Sequence, residues 1–365
     1  MRYYLPLPNV WRRTSNLNLR LGYGHTNDGS TNEKNKRFKR IERKEKELIL
    51  ATKKYASEDR FKSWVFTIST LLFLGLSMIG ALYSFPLAIR IICSLLTGLL
   101  LLRMFMLYHD YLHKAILKRS FIAKTIFTLY GLYTLNPPSI WKRSHDYHHK
   151  HNSKLHTSNI GSFPVLTRKA FLDLSKRERR NYLFIRHPFT IAAGYIFAFT
   201  WGMCMLSLIR NPTKHWDSAL ALIFHYGVGI VIFISFGWLS FLLAFLIPAI
   251  VSSGIGSYLF YAQHNFPTTT FEEKDNWTYA KAALQSSSYM KMNPIMQWFT
   301  GSIGYHHIHH INALIPFYRL KEVHEAFPEF QSAKTTSLNP KEMWRCLEVK
   351  VWDADQNRML KLSEL

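Results

Sequence analysis

The strongest constraint on this chain is the length of its uncharged apolar runs. Residues 63–84 and 86–108 each reach the roughly 20 residues a helix needs to cross a bilayer, and 217–262 is long enough to cross twice. These runs carry almost no charge and no polar face, which excludes water-facing amphipathic helices. Yet the 365 residues include 46 Lys and Arg against 23 Asp and Glu, a net charge of +23. The cations cluster between the apolar runs, as they do in cytoplasmic loops. The same rule accounts for the basic balance without a nucleic-acid partner.

The runs imply two hairpins. The first has spans at about 63–84 and 86–108 joined around Phe85-Pro86, and the second has spans at 217–236 and 238–262 turning at Phe236-Gly237-Trp238. Residues 120–136 end in Asn136-Pro137-Pro138, a helix breaker that favours an interfacial segment over a crossing one. The apolar 188–209 has Arg177, Arg179, Arg180 and Arg186 before it and Arg210 and Lys214 after it, so both its ends read as cytoplasmic and it too is expected at the interface. Residues 1–62 form a basic N-terminal region in which 33–62 reads as a charged helix at the membrane surface or as a solvated tail. A membrane domain follows at 63–330, and 331–365 reads as a cytoplasmic tail. The expected fold is all-α and multi-pass: four transmembrane helices, interfacial helices and a cytoplasmic helical cap. No cleaved signal peptide is expected. Cys93, Cys204 and Cys346 stand alone, giving neither a disulfide framework nor an iron–sulfur cluster.

Three histidine clusters border the spans: His109-Asp-Tyr-Leu-His113, His145-Asp-Tyr-His148-His149, and His306-His307-Ile-His309-His310. Positions i, i+3 and i+4 share a helix face, so each cluster can aim its imidazoles at one point. A lone histidine beside a span is usually a satisfied interfacial residue, and a random pH-sensing patch would not repeat the HxxHH spacing twice. Neutral imidazole is the commonest metal ligand, and eight or nine exceed one tetrahedral zinc and match two ions. Asp110 and Asp146 each follow a candidate ligand about 100° round the helix, better suited to accept a hydrogen bond from that ligand's ring than to bind the same ion.

HDYLH, HDYHH and HHIHH, in this order and separated by membrane segments, resemble the HxxxH, HxxHH and HxxHH boxes of the integral-membrane fatty acid desaturase and hydroxylase family. FYAQHNFP at 260–267, the run Ser286-Ser287-Ser288-Tyr289, and GYHHIHHINALIPFYRL at 304–320 are most similar to bacterial acyl-lipid desaturases. The resemblance implies a non-haem di-iron centre with histidine ligands, a cytoplasmic catalytic cap, and removal of two hydrogens from an acyl chain with O2 and two electrons. By position it implies as ligands His109 and His113, then His145, His148 and His149, then His306, His309 and His310, with His264 of AQHNF as a ninth. In the third box helical geometry alone also allows 306, 307 and 310, and comparison with HDYHH favours 306, 309 and 310. His307 is then a bystander or a hydrogen-bonding partner of a ligand. His151, His156 and His187 lie near the second box without ligand spacing, and Tyr111 and Leu112 stand where the first box often has small residues.

A redox metal suits an unactivated C–H bond, which side-chain acids and bases cannot break. Phe105, Tyr108, Tyr258, Phe260 and Tyr261 lie close to candidate ligands, as tunnel lining or as packing and interfacial belt. With no CxxCH, cysteine cluster or GxGxxG, the electron donor is expected to be external. A ferredoxin-like or cytochrome b5-like protein would be steered to the basic face of Lys142, Arg143, Lys150 and Arg177 to Arg180, residues that could equally hold lipid headgroups. The expected activity is cis-desaturation of a lipid acyl chain. A hydroxylase or ketolase on the same scaffold is the alternative, and a histidine-rich metal transporter or sensor the third reading, opposed by the position of the His clusters at the ends of the spans, since transport calls for polar or ionisable groups within them.

Overall fold

The computed structural model describes residues 44–155, 157 and 161–365, so residues 1–43, including the start of the expected 33–62 helix, and His156 lie outside the described residues. Arg60–Leu82 (α1) and Leu87–Leu112 (α2) form the first hairpin. Asp59 starts α1 by accepting the Lys62 amide at 3.0 Å, satisfying one of the first-turn donors that a helix leaves unpaired. After α2 come the thirteen-residue helix Phe121–Tyr133 (α3), too short to cross a bilayer, and Pro138–His151 (α4). Lys176–Ile185 (α5) and the short helical pieces Pro188–Ala192, Tyr195–Met205 and Leu206–Arg210 precede the longest run, Trp216–Ala262 (α6). By length and composition α1, α2 and α6 can cross a membrane.

α6 is two limbs. Gly237 has φ 78° and ψ 178°, a backbone state that side chains disfavour, and there the helix reverses. An unbroken helix would separate residues 225 and 245 by about 30 Å. Instead the rings of His225 and Phe245 lie 4.6 Å apart. The two turns of the hairpins also meet: Arg90 donates to the Ala81 carbonyl at 3.1 Å and to Ser240 Oγ at 2.8 Å, and Ser240 Oγ donates to the Leu82 carbonyl at 2.9 Å. His109, nineteen residues along α2 from Arg90, is therefore about 28 Å away, close to the thickness of a hydrocarbon core. All the histidine clusters sit at that far end.

Polar and small residues stitch the long helices. Thr97 Oγ1 donates to Ser77 Oγ at 2.9 Å across α1 and α2. At Gly98 a Cβ would meet Val251 of α6 at 2.8 Å, so the two backbones approach as closely as glycine permits. The runs are less free of charge than their pattern suggests. Arg103, 2% exposed, donates to Thr70 Oγ1 at 3.2 Å and to the Trp298 carbonyl, and stacks 3.9 Å over the Trp298 ring.

Two expectations change at the edges. The protein is mostly helical but not all-α: Tyr289–Lys291 (β1) pairs in parallel with Thr335–Ser337 (β2), and Val349–Asp353 (β3) pairs antiparallel with Arg358–Lys361 (β4). The stretch 331–365 is thus no trailing tail. Val351 and Leu360 pack with Leu166, Phe171 and Tyr182, and Tyr182 Oη donates to the Lys350 carbonyl at 2.5 Å. Strands of four or five residues buried by distant partners leave no long apolar run to read. At the other end, Thr52 bonds Asn312 at 3.2 Å and Tyr55 packs on Phe327, so residues 44–56 dock beside the third cluster.

The Gly98 contact gives a direct test. Gly98→Leu must push α2 and α6 apart and should destabilise the detergent-solubilised protein by about 1–3 kcal/mol. Gly75→Ala, where nothing lies within 4 Å, should leave the thermal midpoint nearly unchanged.

Candidate metal centre

Four segments converge at the histidine end. The first cluster lies where α2 ends, with His113 as its C-cap. The second occupies the last two turns of α4, whose start is held from outside: Ser139 N–H donates to Asp217 Oδ2 on α6 at 2.9 Å, replacing a partner the first turn lacks. The third forms the six-residue helix His306–Ile311 (α7). His264 lies just past α6. The adjacent Gln263 donates from Nε2 to the Ile303 carbonyl at 2.9 Å and its carbonyl accepts Ser288 N–H at 3.0 Å, tying this turn to the segments that lead into α7 and β1.

Nine imidazoles meet in two groups. His109, His113, His145, His149 and His309 form one and His148, His264, His306 and His310 the other, with the potential ligand atoms of each group within 4.8 Å of one another. Ring nitrogens face each other directly: Nε2 to Nε2 is 3.0 Å for His109 and His145, 3.1 Å for His149 and His309, and 2.8 Å for His264 and His306. The groups abut where His149 and His310 stack at 4.3 Å.

The expectation that each cluster aims at one point is corrected. In α4, 145 and 149 go to the first group and 148 to the second. In α7, 306 and 310 go to the second and 309 to the first. A step of four residues turns a helix only about 40° past a full circle, whereas a step of three falls about 60° short, so the i, i+4 pair shares a target that i+3 does not. The two helices apply this split in opposite senses.

The outer nitrogens matter as much. His109 Nδ1 bonds Asp110 Oδ1 at 3.1 Å, and Asp110 Oδ2 accepts the Phe317 amide at 2.7 Å, linking the first cluster to the segment after the third. His264 Nδ1 donates to the Ser286 carbonyl at 3.0 Å. Asp146 does otherwise than expected: its carboxylate takes Lys142 Nζ at 2.7 Å on the half-exposed side of α4. His307 is buried outside the two groups, 5.7 Å from the His324 ring and 5.8 Å from Tyr289. His151 stacks on Tyr147, and His187 caps Pro188–Ala192.

Sequence reading missed Trp141, whose ring stacks on His145 at 4.4 Å and meets His109 edge-on at 5.6 Å. Its place one turn before the second cluster was the available signal. Of the aromatics singled out, Phe260 lies 5.3 Å from His148 and Phe105 packs on Trp141, while Tyr108 and Tyr261 are wholly buried in packing.

Burial keeps these rings neutral. It pushes His145, His148, His149, His306, His309 and His310 well below the usual imidazole range, with neighbouring imidazoles adding to the effect. His264 is lowered to about 4 by burial, opposed by its bond to Ser286. A neutral ring that donates from Nδ1 presents a bare lone pair at Nε2, the form a metal binds. Nε2 of His113 is buried with no hydrogen-bond partner, as an atom kept for such an ion would be. The residues present therefore fit a two-metal site.

Comparison with known proteins agrees with this geometry. A family model described as fatty acid desaturase matches residues 85–339, a stretch containing all nine histidines. A fatty acid desaturase of Bacillus subtilis (strain 168) is 30% identical over 335 residues, covering 89% of this chain and 93% of the relative. An sn-1 oleoyl-lipid 12-desaturase of Synechocystis is 24% identical, covering 73% and 76%. An sn-1 acyl-lipid omega-3 desaturase (ferredoxin) of Nostoc is 24% identical, covering 64% and 65%.

Two tests follow from the outer contacts and the burial. Asp110→Asn should lower metal affinity about 10- to 100-fold in a chelator competition, whereas Asp146→Asn should change it little. Below about pH 6.5 the unfolded chain takes up protons that His264 in the folded site refuses until about 4, so the stability of metal-free protein falls as pH drops through that window. Thermal midpoints recorded against pH should decline there, and less steeply for His264→Asn.

Proposed function

Since this chain belongs to the fatty acid desaturase family, we propose that it introduces a cis double bond into the acyl chain of a membrane lipid, using O2 and a di-iron centre held by histidine. The observation that carries this reading is the partition of nine imidazoles, eight buried and His113 partly so, into groups of five and four with no carboxylate or thiolate in either. In this reading His109, His113, His145, His149 and His309 hold one iron and His148, His264, His306 and His310 the other. Iron bound there supplies the oxygen chemistry needed to break an unactivated C–H bond. Two hydrogens leave adjacent carbons, and with O2, two electrons and two protons the balance is two waters.

The remaining work falls to side chains. Asp110 and the Ser286 carbonyl hold the rings of His109 and His264 with Nε2 inward. Trp141 and Phe260 cover flanks of the site and keep water from it. The acyl chain approaches from the bilayer, which the exposed apolar surfaces of α1, α2 and α6 adjoin. The meeting of both hairpin turns at one end supports four crossings. Lys114, Lys118, Arg119 and Lys150, exposed near the histidine end, support a cytoplasmic catalytic face.

The electrons come from an external donor of the ferredoxin or cytochrome b5 kind. Ferredoxin appears in the name of the Nostoc relative. Among the ligand-bearing helices α4 has a half-exposed outer side, with Lys142, Arg143 and Lys150, one helix thickness from His145, His148 and His149. That side suits an acidic carrier.

Expression in a host lacking the activity, with lipid profiling by mass spectrometry, tests the proposal. The wild type should yield a new unsaturated acyl chain, and His148→Ala should yield none. A hydroxylated lipid in its place would overturn desaturation. Purified protein should hold two irons per chain, and stoichiometric zinc without O2-dependent activity would overturn the metal assignment.

A further inference from the structure

The proposed chemistry leaves unused the elbow where α5 meets Pro188–Ala192. Lys176, Arg179, Arg180, Leu183, Phe184 and His187 follow one another at helical spacing and line a groove of about 500 Å³. The groove changes character along its length. Its cations lie toward the start of α5, and Leu183 and Phe184 lie toward the end.

The cations are available. Lys176, Arg177 and Arg180 are exposed, and no carboxylate pairs with them among the described residues. The acid of α5, Glu178, is committed to the start of the helix, where its carboxylate accepts the Ser175 amide at 2.9 Å. Arg179 is fixed by donation to the Leu172 carbonyl and by its position 5.6 Å over the Phe171 ring. Beyond the cations, Phe184 and Phe189 are 49% and 64% exposed and both rings lean on Phe197, with Ile196 and Trp201 exposed on the same segment. Cations beside large exposed aromatics, on a segment too short to cross a bilayer, match the headgroup boundary of a membrane. The Ala192 carbonyl in turn sits against Gly254 of the α6 limb that leads to His264.

We propose that this elbow binds the phosphate headgroup of an anionic phospholipid, with Lys176 and Arg180 at the phosphate and Phe184 and Phe189 among the acyl chains. The proposal rests on the reading that this chain lies in a membrane. It also divides the basic surface: the outer side of α4, which has no comparable exposed aromatic belt, is left to the electron donor. An acidic protein or a free anion would account for the cations but leave the exposed Phe184 and Phe189 without a role.

The test is native mass spectrometry of the full-length, detergent-purified protein titrated with phosphatidylglycerol or phosphatidylcholine. The double variant Lys176→Gln/Arg180→Gln should bind phosphatidylglycerol about thirtyfold more weakly, the worth of two cations at a charged membrane surface, with phosphatidylcholine binding unchanged. Arg180→Gln alone should cost about fivefold and serves if the double variant does not stay monodisperse. Lys321→Gln/Lys341→Gln, exposed cations elsewhere, should bind as the wild type does. Equal phosphatidylglycerol affinity in the elbow variants and the wild type, or an equal loss in the control pair, would overturn the proposal. So would displacement of the lipid by inorganic phosphate at comparable concentration, or a loss confined to ferredoxin binding. Binding is read without turnover, so a failure of desaturase activity leaves this result separate.

Discussion

The rest of this structure depends on the convergence of nine neutral imidazoles, eight of them buried, at one end of the long helices. Imidazoles whose Nε2 atoms meet one another at about 3 Å have given up hydration for contacts with their own kind, and only His109 among the nine has an acid, Asp110, at its outer nitrogen. Their arrangement is imposed by rigid neighbours. The rigid neighbours can be named. Asp110 spans His109 and the Phe317 amide, Asp217 holds the start of α4, and Gln263 ties the His264 turn to Ile303 in the turn that leads into α7.

The long helices contribute by fixing both ends of a frame. At one end Arg90 and Ser240 lock the two turns together, and at the other α2 and α6 deliver His109 and His264 to the same level. Close approach at Gly98 keeps the frame narrow, and Arg103 is accommodated within it by stacking and carbonyl contacts. The separation of turns from histidines matches the bilayer thickness because a helix of about 20 residues, at 1.5 Å per residue, is as long as the hydrocarbon core is thick.

Much of this was legible in advance because the signals were local. Apolar runs announced the hairpins, Phe236-Gly237-Trp238 announced the reversal, and HxxHH announced helices with imidazoles on one side. Less local features were not. Asp110 and Asp146 occupy equivalent places after a histidine, yet one meets a backbone amide across the site and the other a lysine on its own helix. Trp141 is an ordinary aromatic until α4 is set beside α2. The segment after 330 looked like a tail because its four- and five-residue strands bury against residues 166–183, partners remote in sequence.

The sequence by itself determined how many imidazoles there are, their helical spacing, their position at the ends of apolar runs, and the surplus of cations around them. Helical periodicity and bilayer length are properties of a short stretch of chain, so a short stretch reveals them. Only the tertiary structure decided that the second and third clusters each divide two against one, in opposite senses, between two centres. That division depends on the angle at which α4 and α7 face each other across α2 and His264. A crossing angle is set by packing among residues as far apart in the chain as His149 and His309, 160 positions, and by nothing within either cluster.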